Sequence, residues 1–302
     1  MTADNHVSGF VTIAGRPNVG KSTLLNLMIG KKIAIVSDKP QTTRNRITGI
    51  LTRPGSQIIF LDTPGIHKPQ HLLGENMVRV AFSAWLDVDC ILFLVDGAAG
   101  IGGGDRFIAE RLAQTETPVI LAVNKVDALE RDKVEAVLEE AASLGKFHAV
   151  FPISALTGYN VAPLLETITA LLPPGPLYYP EGQTSERPEN FIIAELVREQ
   201  ILHLTSEEIP HAIAIETMRI EPRAGRDDLI DVEVNIYVER ESQKAIIIGK
   251  GGSMLKAVGT GARREIEALL GCQVFLSLRV KVKPGWRDHG AFIKQMIYKH
   301  DD

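Results

Sequence analysis

The eight residues Gly15-Arg16-Pro17-Asn18-Val19-Gly20-Lys21-Ser22 decide the fold of the first half of this chain, because they match the pattern G-x-x-x-x-G-K-S. Residues 10–14 before them form an apolar run that predicts a buried strand, and residues 22–28 have the spacing of an amphipathic helix. Glycines in such a loop let backbone N–H groups converge on phosphates, and the helix N-terminus adds a favourable partial charge. The stretch therefore predicts a phosphate-binding loop in an α/β domain.

Two side chains at the end of this loop have the chemistry that a bound nucleoside triphosphate requires. Lys21 can reach the β- and γ-phosphates with its ammonium group. Ser22 offers a small hydroxyl to Mg²⁺, which prefers oxygen ligands. We predict that the whole loop binds the nucleotide together with the next residue, Thr23.

A second string, Asn124-Lys125-Val126-Asp127, selects the base. It follows another strand-like run, residues 119–123. The Asp127 carboxylate can accept hydrogen bonds from the N1–H and the 2-amino group of guanine. Adenine lacks that amino group and would leave a buried acceptor unpaired, at a cost of about 1–3 kcal/mol. We therefore predict a GTP and GDP site, with Ser154-Ala155-Leu156 after residues 149–153 packing beside the base.

A third string, Asp62-Thr63-Pro64-Gly65, ends the strand-like run of residues 57–61. Asp62 can hold Mg²⁺ through water, and Gly65 can offer its N–H to the γ-phosphate. A second hydroxyl ligand for Mg²⁺ is expected from the polar stretch of residues 37–46, where Thr43 is our candidate and Thr42 the alternative. His67 and His71 follow shortly after Gly65, and we expect no metal site there.

Strand-like and helix-like segments alternate up to residue 172, which predicts a mostly parallel sheet wrapped by helices. Helical patterns cover residues 107–113, 133–143 and 162–171, and the glycine-rich residues 100–104 are predicted to be a flexible connection. Residues 173–188 are rich in proline, glycine and serine and predict a linker. We therefore expect a GTPase domain over residues 1–172 and a smaller α+β domain over residues 189–302.

The second half of the chain predicts an RNA-binding domain. Its order is helix, two strands, helix, a Gly-Lys-Gly-Gly loop, helix and strand, which resembles a type II KH domain. The second strand, residues 229–239, alternates apolar and polar side chains. Glycines in the loop let a nucleic-acid backbone approach, and the apolar strip beside it can receive bases. We predict RNA contacts from Ile248, Gly249, Lys250, Gly251, Gly252 and Lys256.

Charge supports this assignment. The whole chain of 302 residues carries a net charge of −4, with 45% hydrophobic and 23% charged residues. Between Lys244 and Lys299, however, eleven residues are basic and three are acidic. Such an excess favours a polyanionic partner. Trp286 in this region could stack on a base or cover the edge of the domain, and residues 292–298 predict a short amphipathic helix that docks on its own domain.

The nucleotide strings resemble the translation-factor-like GTPases and, among them, the Era family. The resemblance rests on the Arg-Pro-Asn-Val form of the loop, on Pro40-Gln-Thr-Thr-Arg44 and on Asp62-Thr-Pro-Gly-Ile66. It implies that Lys21, Thr43, Gly65 and Asn18 act in hydrolysis, and that Asn18 helps bind K⁺ near the transferred phosphate. Ile66 stands where Ras-like proteins carry a water-orienting glutamine, so we expect slow hydrolysis without assistance.

The resemblance also implies the partner, which is 16S ribosomal RNA near its 3′ end, and a role in assembly of the 30S subunit. Switch residues 36–46 and 65–80 would report the γ-phosphate to the RNA-binding domain. Two alternatives stay open, a GTP-gated RNA clamp or chaperone and a membrane-associated signalling GTPase whose basic region meets anionic lipids.

The remaining composition bears on the setting of the protein. Cys90 and Cys272 lie in separate apolar runs, which predicts free thiols in a reducing cytosol. The N-terminus does not resemble a signal peptide, and the apolar runs are strand-sized. We expect a cytoplasmic monomer, with weak peripheral attachment to the inner face of the cell membrane as the alternative.

Overall fold

The computed structural model describes residues 6–39, 42–66, 72–294 and 296. The chain divides into two compact units. Among the described residues, the first unit comprises 6–34, 43–66 and 74–186. The second comprises 35–39, 42, 72–73, 187–294 and 296.

The described part of the first unit contains a six-stranded sheet in the order β2-β3-β1-β4-β5-β6. Strand β2 is antiparallel to β3, and the other neighbouring pairs are parallel. The predicted α/β fold is confirmed. The strands are β1 (Val7–Gly15), β2 (Ile47–Arg53), β3 (Ser56–Asp62), β4 (Cys90–Asp96), β5 (Val119–Asn124) and β6 (Ala149–Pro152).

Helices cover both faces of this sheet. Strand β4 is buried on both faces because Leu92 and Leu94 point into one apolar cluster while Phe93 and Val95 point into the other. Parallel strands that are buried on both faces have continuous apolar sequences, and for this reason the sequence predicted these strands. The helices are α1 (Lys21–Ile29), α2 (Leu72–Ser83), α3 (Gly103–Leu112), α4 (Arg131–Ala142) and α5 (Val161–Leu171).

Strand β1 lies between β3 and β4, so the connections from β1 to the later strands run to both sides of it in the sheet. The C-terminal end of β1 is therefore a topological switch point, where α/β sheets bind their ligands. Helix α1 begins at Lys21, directly after the glycine-rich loop.

Residues 173–186, predicted to be linker, make hydrogen bonds within the first unit. The N–H of Gly175 donates to the carbonyl of His6 over 3.1 Å, and Ser8 Oγ donates to the carbonyl of Pro176 over 2.7 Å. The Gln57 carboxamide oxygen accepts the backbone N–H groups of Tyr178 and Tyr179. This segment is thus fastened to the first sheet.

The described part of the second unit has the helix and strand order of a KH domain, as predicted. Its sheet has the order β7-β8-β9, with β7 antiparallel and β9 parallel to β8. A parallel pair needs a long crossover, and the two helices around the glycine loop supply it. The elements are α6 (Glu189–Leu204), α7 (Ile209–Ala212), β7 (Ala214–Arg223), β8 (Arg226–Val238), α8 (Glu241–Ile248), α9 (Ser253–Leu270), β9 (Gln273–Val282) and α10 (Gly290–Ile293).

The core of the second unit lies on one face of its sheet. The predicted alternation in β8 is observed, because its inward side chains are fully or almost fully buried against α6 and α9. Helix α9 contributes positions four residues apart, which lie on one helix face. These core residues are Val232, Val234, Ile236 and Val238 from β8 and Val258, Ala262 and Ile266 from α9.

Trp286 covers the edge of the domain and does not present a stacking surface. Its ring is fully buried, and Nε1–H donates to the carbonyl of Ala212 over 2.9 Å. The ring packs against that of Phe292, at the start of the predicted terminal helix, with ring centroids 6.1 Å apart. Helix α10 covers the beginning of that helix, and residues 295, 297 and 298 of the prediction lie outside the described residues.

Both cysteines are free thiols. Burial raises the pKa of Cys90 to about 12. In the described part of the chain, every helix is too short or too polar to span a bilayer.

Candidate functional site

The phosphate-binding loop connects β1 to α1 and has the conformation its glycines were predicted to allow. Gly20 has φ +100°, and a Cβ there would lie 2.2 Å from Nδ2 of Asn124. Only glycine fits such a position, since both the backbone angle and the space exclude a side chain. Asn18 also has a positive φ, of 64°.

Lys21 is buried at the base of this loop, with 6% of its surface exposed. Its Nζ donates to the carbonyls of Arg16 over 2.8 Å and Gly15 over 3.3 Å. Burial lowers the pKa of Lys21 to about 8, although the nearby Asp62 carboxylate opposes the shift. Burial raises the pKa of Asp62 to about 6, opposed by the Lys21 charge and by hydrogen bonds from Ser22 and the Thr63 backbone.

Three oxygen-bearing side chains meet beside Lys21. Ser22 Oγ donates to Oδ2 of Asp62 over 2.6 Å and lies 3.0 Å from Oγ1 of Thr43. Oδ1 of Asp62 is buried and has no hydrogen-bond partner among the described residues. Two hydroxyls and a carboxylate with an unused oxygen fit a hard cation such as Mg²⁺.

The structure distinguishes the two neighbouring threonines. Thr43 is the one that lies beside Ser22, whereas Thr42 Oγ1 donates to the carbonyl of Lys39 over 2.6 Å. Pro40 and Gln41, which belong to the same predicted switch, lie outside the described residues.

Gly65 and Ile66 follow Asp62 and lie against the phosphate-binding loop. A Cβ on Gly65 would be 2.5 Å from the backbone nitrogen of Pro17. Ile66 is buried in an apolar cluster with Phe93 and Ile108. Its side chain is thus directed into the domain core. Residues 67–71 of the predicted second switch, with His67 and His71, lie outside the described residues.

Hydrogen bonds connect the two strings predicted to recognise the base, which contain Asn124 and Ser154. Asn124 donates through Nδ2 to the carbonyl of Val19 over 2.7 Å and accepts the N–H of Ala155 at Oδ1 over 2.8 Å. It therefore joins the phosphate-binding loop to the segment containing Ser154. Lys125 Nζ donates to the carbonyl of Asn18 over 2.8 Å. Asn124 and Lys125 are thus both connected to the predicted phosphate-binding loop.

The predicted base-reading carboxylate is accessible. Asp127 is exposed and lines a cavity of about 610 Å³ with Leu129, Thr157 and Tyr159. Ser154 Oγ accepts the N–H of Thr157 over 3.0 Å, which fixes the turn. The side chain of Leu156, predicted to pack beside the base, is 78% exposed.

Sequence reasoning missed two carboxylates that hold these loops. Asp96, at the end of β4, lies 2.6 Å from Nζ of Lys125. Asp105, in the first turn of α3, lies 2.7 Å from Nε of Arg16. Residues 100–104 were predicted to be a flexible connection, which was wrong because Gly103 and Gly104 begin α3 and Gly104 lies against the side chain of Arg16. A carboxylate at the end of a strand next to β5 was the available signal for Asp96.

The second unit presents the predicted glycine loop between α8 and α9. Gly249 has φ +72°, and a Cβ there would lie 2.7 Å from Cβ of Met254. Gly251 and Gly252 also have positive φ. Lys250 and Lys256 are exposed, and Ile248 is half-buried at the end of α8. The loop thus exposes backbone and cationic side chains together.

A cavity of about 370 Å³ adjoins this loop between α9 and β9. Sequence reasoning named only Gly252 and Lys256 from its lining. Arg263 supplies a further positive charge, and Phe275 is 53% exposed with the Arg223 guanidinium 4.4 Å from its ring centroid. The remaining lining residues are Leu255, Gly259, Thr260, Leu276 and Leu278.

Comparisons with known proteins agree with both halves. Residues 10–125 match the family model of a 50S ribosome-binding GTPase, and residues 208–287 match that of the KH domain. The chain is 39% identical to Era in a crystal structure with MgGDPNP and nucleotides 1506-1542 of 16S ribosomal RNA, over 97% of this chain and 99% of that one, with a TM-score of 0.94. A variant of Aquifex aeolicus Era bound to GDP and AlF4⁻ is also 39% identical, with the same coverage and a TM-score of 0.93.

Proposed function

The chain belongs to the Era family of GTPases, and from this premise we propose that its nucleotide state controls how its KH domain grips 16S ribosomal RNA near the 3′ end during assembly of the 30S subunit. GTP hydrolysis and an RNA-binding KH domain belong to the family. The observation that carries the proposal is the presence, in one chain, of the Lys21–Ser22–Thr43–Asp62 cluster and the glycine loop with its adjoining cavity.

The phosphate-binding loop performs the first task, which is to hold and orient the nucleotide. Its backbone N–H groups and the start of α1 bind the phosphates, and Lys21 balances their charge. Ser22 and Thr43 would hold Mg²⁺ directly and Asp62 would hold it through water. When bound, Mg²⁺ neutralises charge on the β- and γ-phosphates.

Hydrolysis is proposed to be slow without assistance. The aliphatic side chain of Ile66 cannot orient water, and it is buried in the core. Gly65 would contribute its N–H to the γ-phosphate.

A K⁺ ion near the transferred phosphate is part of the proposal, with Asn18 as a ligand. Asn18 has the positive φ of a tightly turned loop, and its carbonyl is held by Lys125. If exchange of K⁺ for Na⁺ in the assay left kcat unchanged, this role would be excluded.

Residues 35–42 offer a route from the nucleotide to the KH domain. The described residues of this segment group with the second unit, where the N–H of Val36 donates to the Glu199 carboxylate over 2.9 Å. Arg198, which is almost fully buried, donates to the carbonyl of Thr42. Since Thr43 follows directly, a change of Thr43 on hydrolysis would act on a segment that α6 holds.

The RNA partner in this proposal is inferred from similarity to Era. Era in the first of the two crystal structures is bound to nucleotides 1506-1542 of 16S ribosomal RNA. In this chain the exposed Lys250 and Lys256 would meet the backbone, and the apolar floor with Phe275 would receive unstacked bases. We also propose that the protein acts as a monomer in the cytoplasm.

The test is to crosslink the protein to RNA in cells and to sequence the RNA that is recovered. A variant that binds GTP but does not hydrolyse it should enrich the 3′ end of 16S ribosomal RNA and stall on 30S precursors. A simple clamp would release RNA at the rate of nucleotide exchange. Recovery with anionic membranes and without RNA would favour the signalling alternative and overturn the proposal.

A further inference from the structure

Arg16, the second residue of the phosphate-binding loop, extends its side chain away from the loop and onto the start of α3. Its Nε lies 2.7 Å from Oδ1 of Asp105, and its Nη2 donates to the carbonyl of Gly100 over 3.2 Å. Asp105 is fully buried, and its second oxygen accepts the N–H of Gly102 over 2.8 Å. A buried carboxylate that is paired in this way is costly to disturb, because removing one partner leaves the other charge uncompensated.

The glycines at the start of α3 leave the space that this side chain occupies. A Cβ on Gly104 would lie 2.6 Å from Cδ and 3.1 Å from Cγ of Arg16. A Cβ on the neighbouring Gly103 would have nothing within 4 Å. Gly104 is therefore needed for Arg16 to cross α3, whereas Gly103 is not.

The other end of Arg16 belongs to the nucleotide site. Its carbonyl accepts Nζ of Lys21 over 2.8 Å, and the next residue, Pro17, packs against Gly65. At the far side of the loop, Lys125 holds the carbonyl of Asn18. The loop is thus anchored on one side through Lys125 and on the other through the Arg16 guanidinium.

We propose that Asp105 and Gly104 are positioning residues for GTP, which act through Arg16 to hold the phosphate-binding loop in its nucleotide-binding shape. This inference deepens the nucleotide-binding function and rests on it. It also assigns the Arg16 guanidinium to the loop's anchorage, which leaves it away from the transferred phosphate.

The experiment compares Gly104→Ala with Gly103→Ala in the full chain, with affinity for GDP and for a GTP analogue and kcat as readouts. Gly104→Ala should weaken both affinities about tenfold and lower kcat, because the displaced Arg16 shifts the loop. Gly103→Ala should stay within about twofold of the wild type, since it adds only helix propensity. Equal values for the two variants would overturn the proposal.

A double-mutant cycle separates positioning from general damage to α3. If Gly104 acts through Arg16, adding Gly104→Ala to Arg16→Ala should cause no further loss of affinity. A full additional loss would show that Gly104 acts elsewhere and would refute the proposal. Should Gly104→Ala fail to fold, Asp105→Asn provides the same test. Alone it should lower the affinity, and added to Arg16→Ala it should cause no further loss. Wild-type binding of GDP is measured first, so a failure of the nucleotide site itself is distinguished from a failure of the positioning role of Gly104 and Asp105.

Discussion

The molecule contains two glycine loops for polyanions, and they are built in opposite ways. The phosphate-binding loop is braced by Arg16, Asn124 and Lys125, and its lysine is buried. The loop between α8 and α9 is exposed, and so is its lysine, Lys250. A fixed shape suits one small ligand whose charge must be placed accurately. An exposed loop suits a long polymer whose backbone passes over it.

The largest effect on one loop alone is expected from substitution of Lys21, the buried lysine of the phosphate-binding loop. Lys21→Met should lower GTP turnover by about 100- to 1000-fold, because a buried charge opposite the phosphates is lost and no solvent replaces it. RNA affinity of the nucleotide-free protein should stay unchanged. Steady-state hydrolysis and RNA titration measure the two effects, with the exposed Lys31→Met as the control. Equal turnover in both variants would contradict the buried-lysine role.

The opposite loop provides the reciprocal test. Replacing Lys250 and Gly251 with aspartate should weaken binding to an oligonucleotide from the 3′ end of 16S ribosomal RNA by at least about 100-fold, through added charge and bulk. Affinity for GDP should remain within about twofold. Gly145 and Lys146 are an exposed Gly-Lys pair of the first unit, so their replacement by aspartate matches the change in charge. Loss of both ligands together would indicate a folding defect instead.

A third test concerns the residue predicted to recognise guanine, Asp127. Asp127→Asn should reduce GTP affinity by about 10- to 100-fold and favour xanthine nucleotides, because the amide can donate to the 2-oxo group. Competition between GTP and XTP measures the preference. Retained preference for GTP would remove Asp127 from base recognition.

The smallest effect is expected at Phe275, which lines the cavity between α9 and β9. Phe275→Ala should weaken RNA binding by about 1–2 kcal/mol, in the lower part of the range of about 1–3 kcal/mol for one base stacked on an aromatic ring. Leu269→Ala is the control, since Leu269 is an exposed apolar residue of α9 outside the cavity lining. Identical RNA affinities for the two variants would place the bases elsewhere.

The sequence predicted what depends on local pattern. Continuous apolar runs identified the parallel strands, and the alternation in β8 identified its buried face, because burial on two faces or one is written into each strand. The order of elements around Gly249 was sufficient to predict the KH domain. Three of the nucleotide strings begin at the last residue of a strand, as predicted: Gly15–Ser22 after β1, Asp62–Gly65 after β3 and Asn124–Asp127 after β5. Thr42 and Thr43 do not, because they precede β2.

What escaped prediction depends on partners distant in sequence. Asp105 has no motif, and its role exists only because α3 starts beside Arg16, 89 positions away in the chain. Trp286 offered two interpretations until Ala212 provided its hydrogen-bond acceptor. Thr42 and Thr43 are chemically identical, and only the fold could show which one lies beside Ser22.

The unequal burial of the two cysteines makes the unmodified protein suitable for site-specific labelling. Cys90 is in the core, and its raised pKa keeps the thiol protonated, so a maleimide should ignore it. Cys272 is half-buried and precedes Phe275 by three residues. A fluorophore attached there would sit directly before β9, and under the proposed RNA-binding mode its signal should change when RNA is added, without any substitution in the chain.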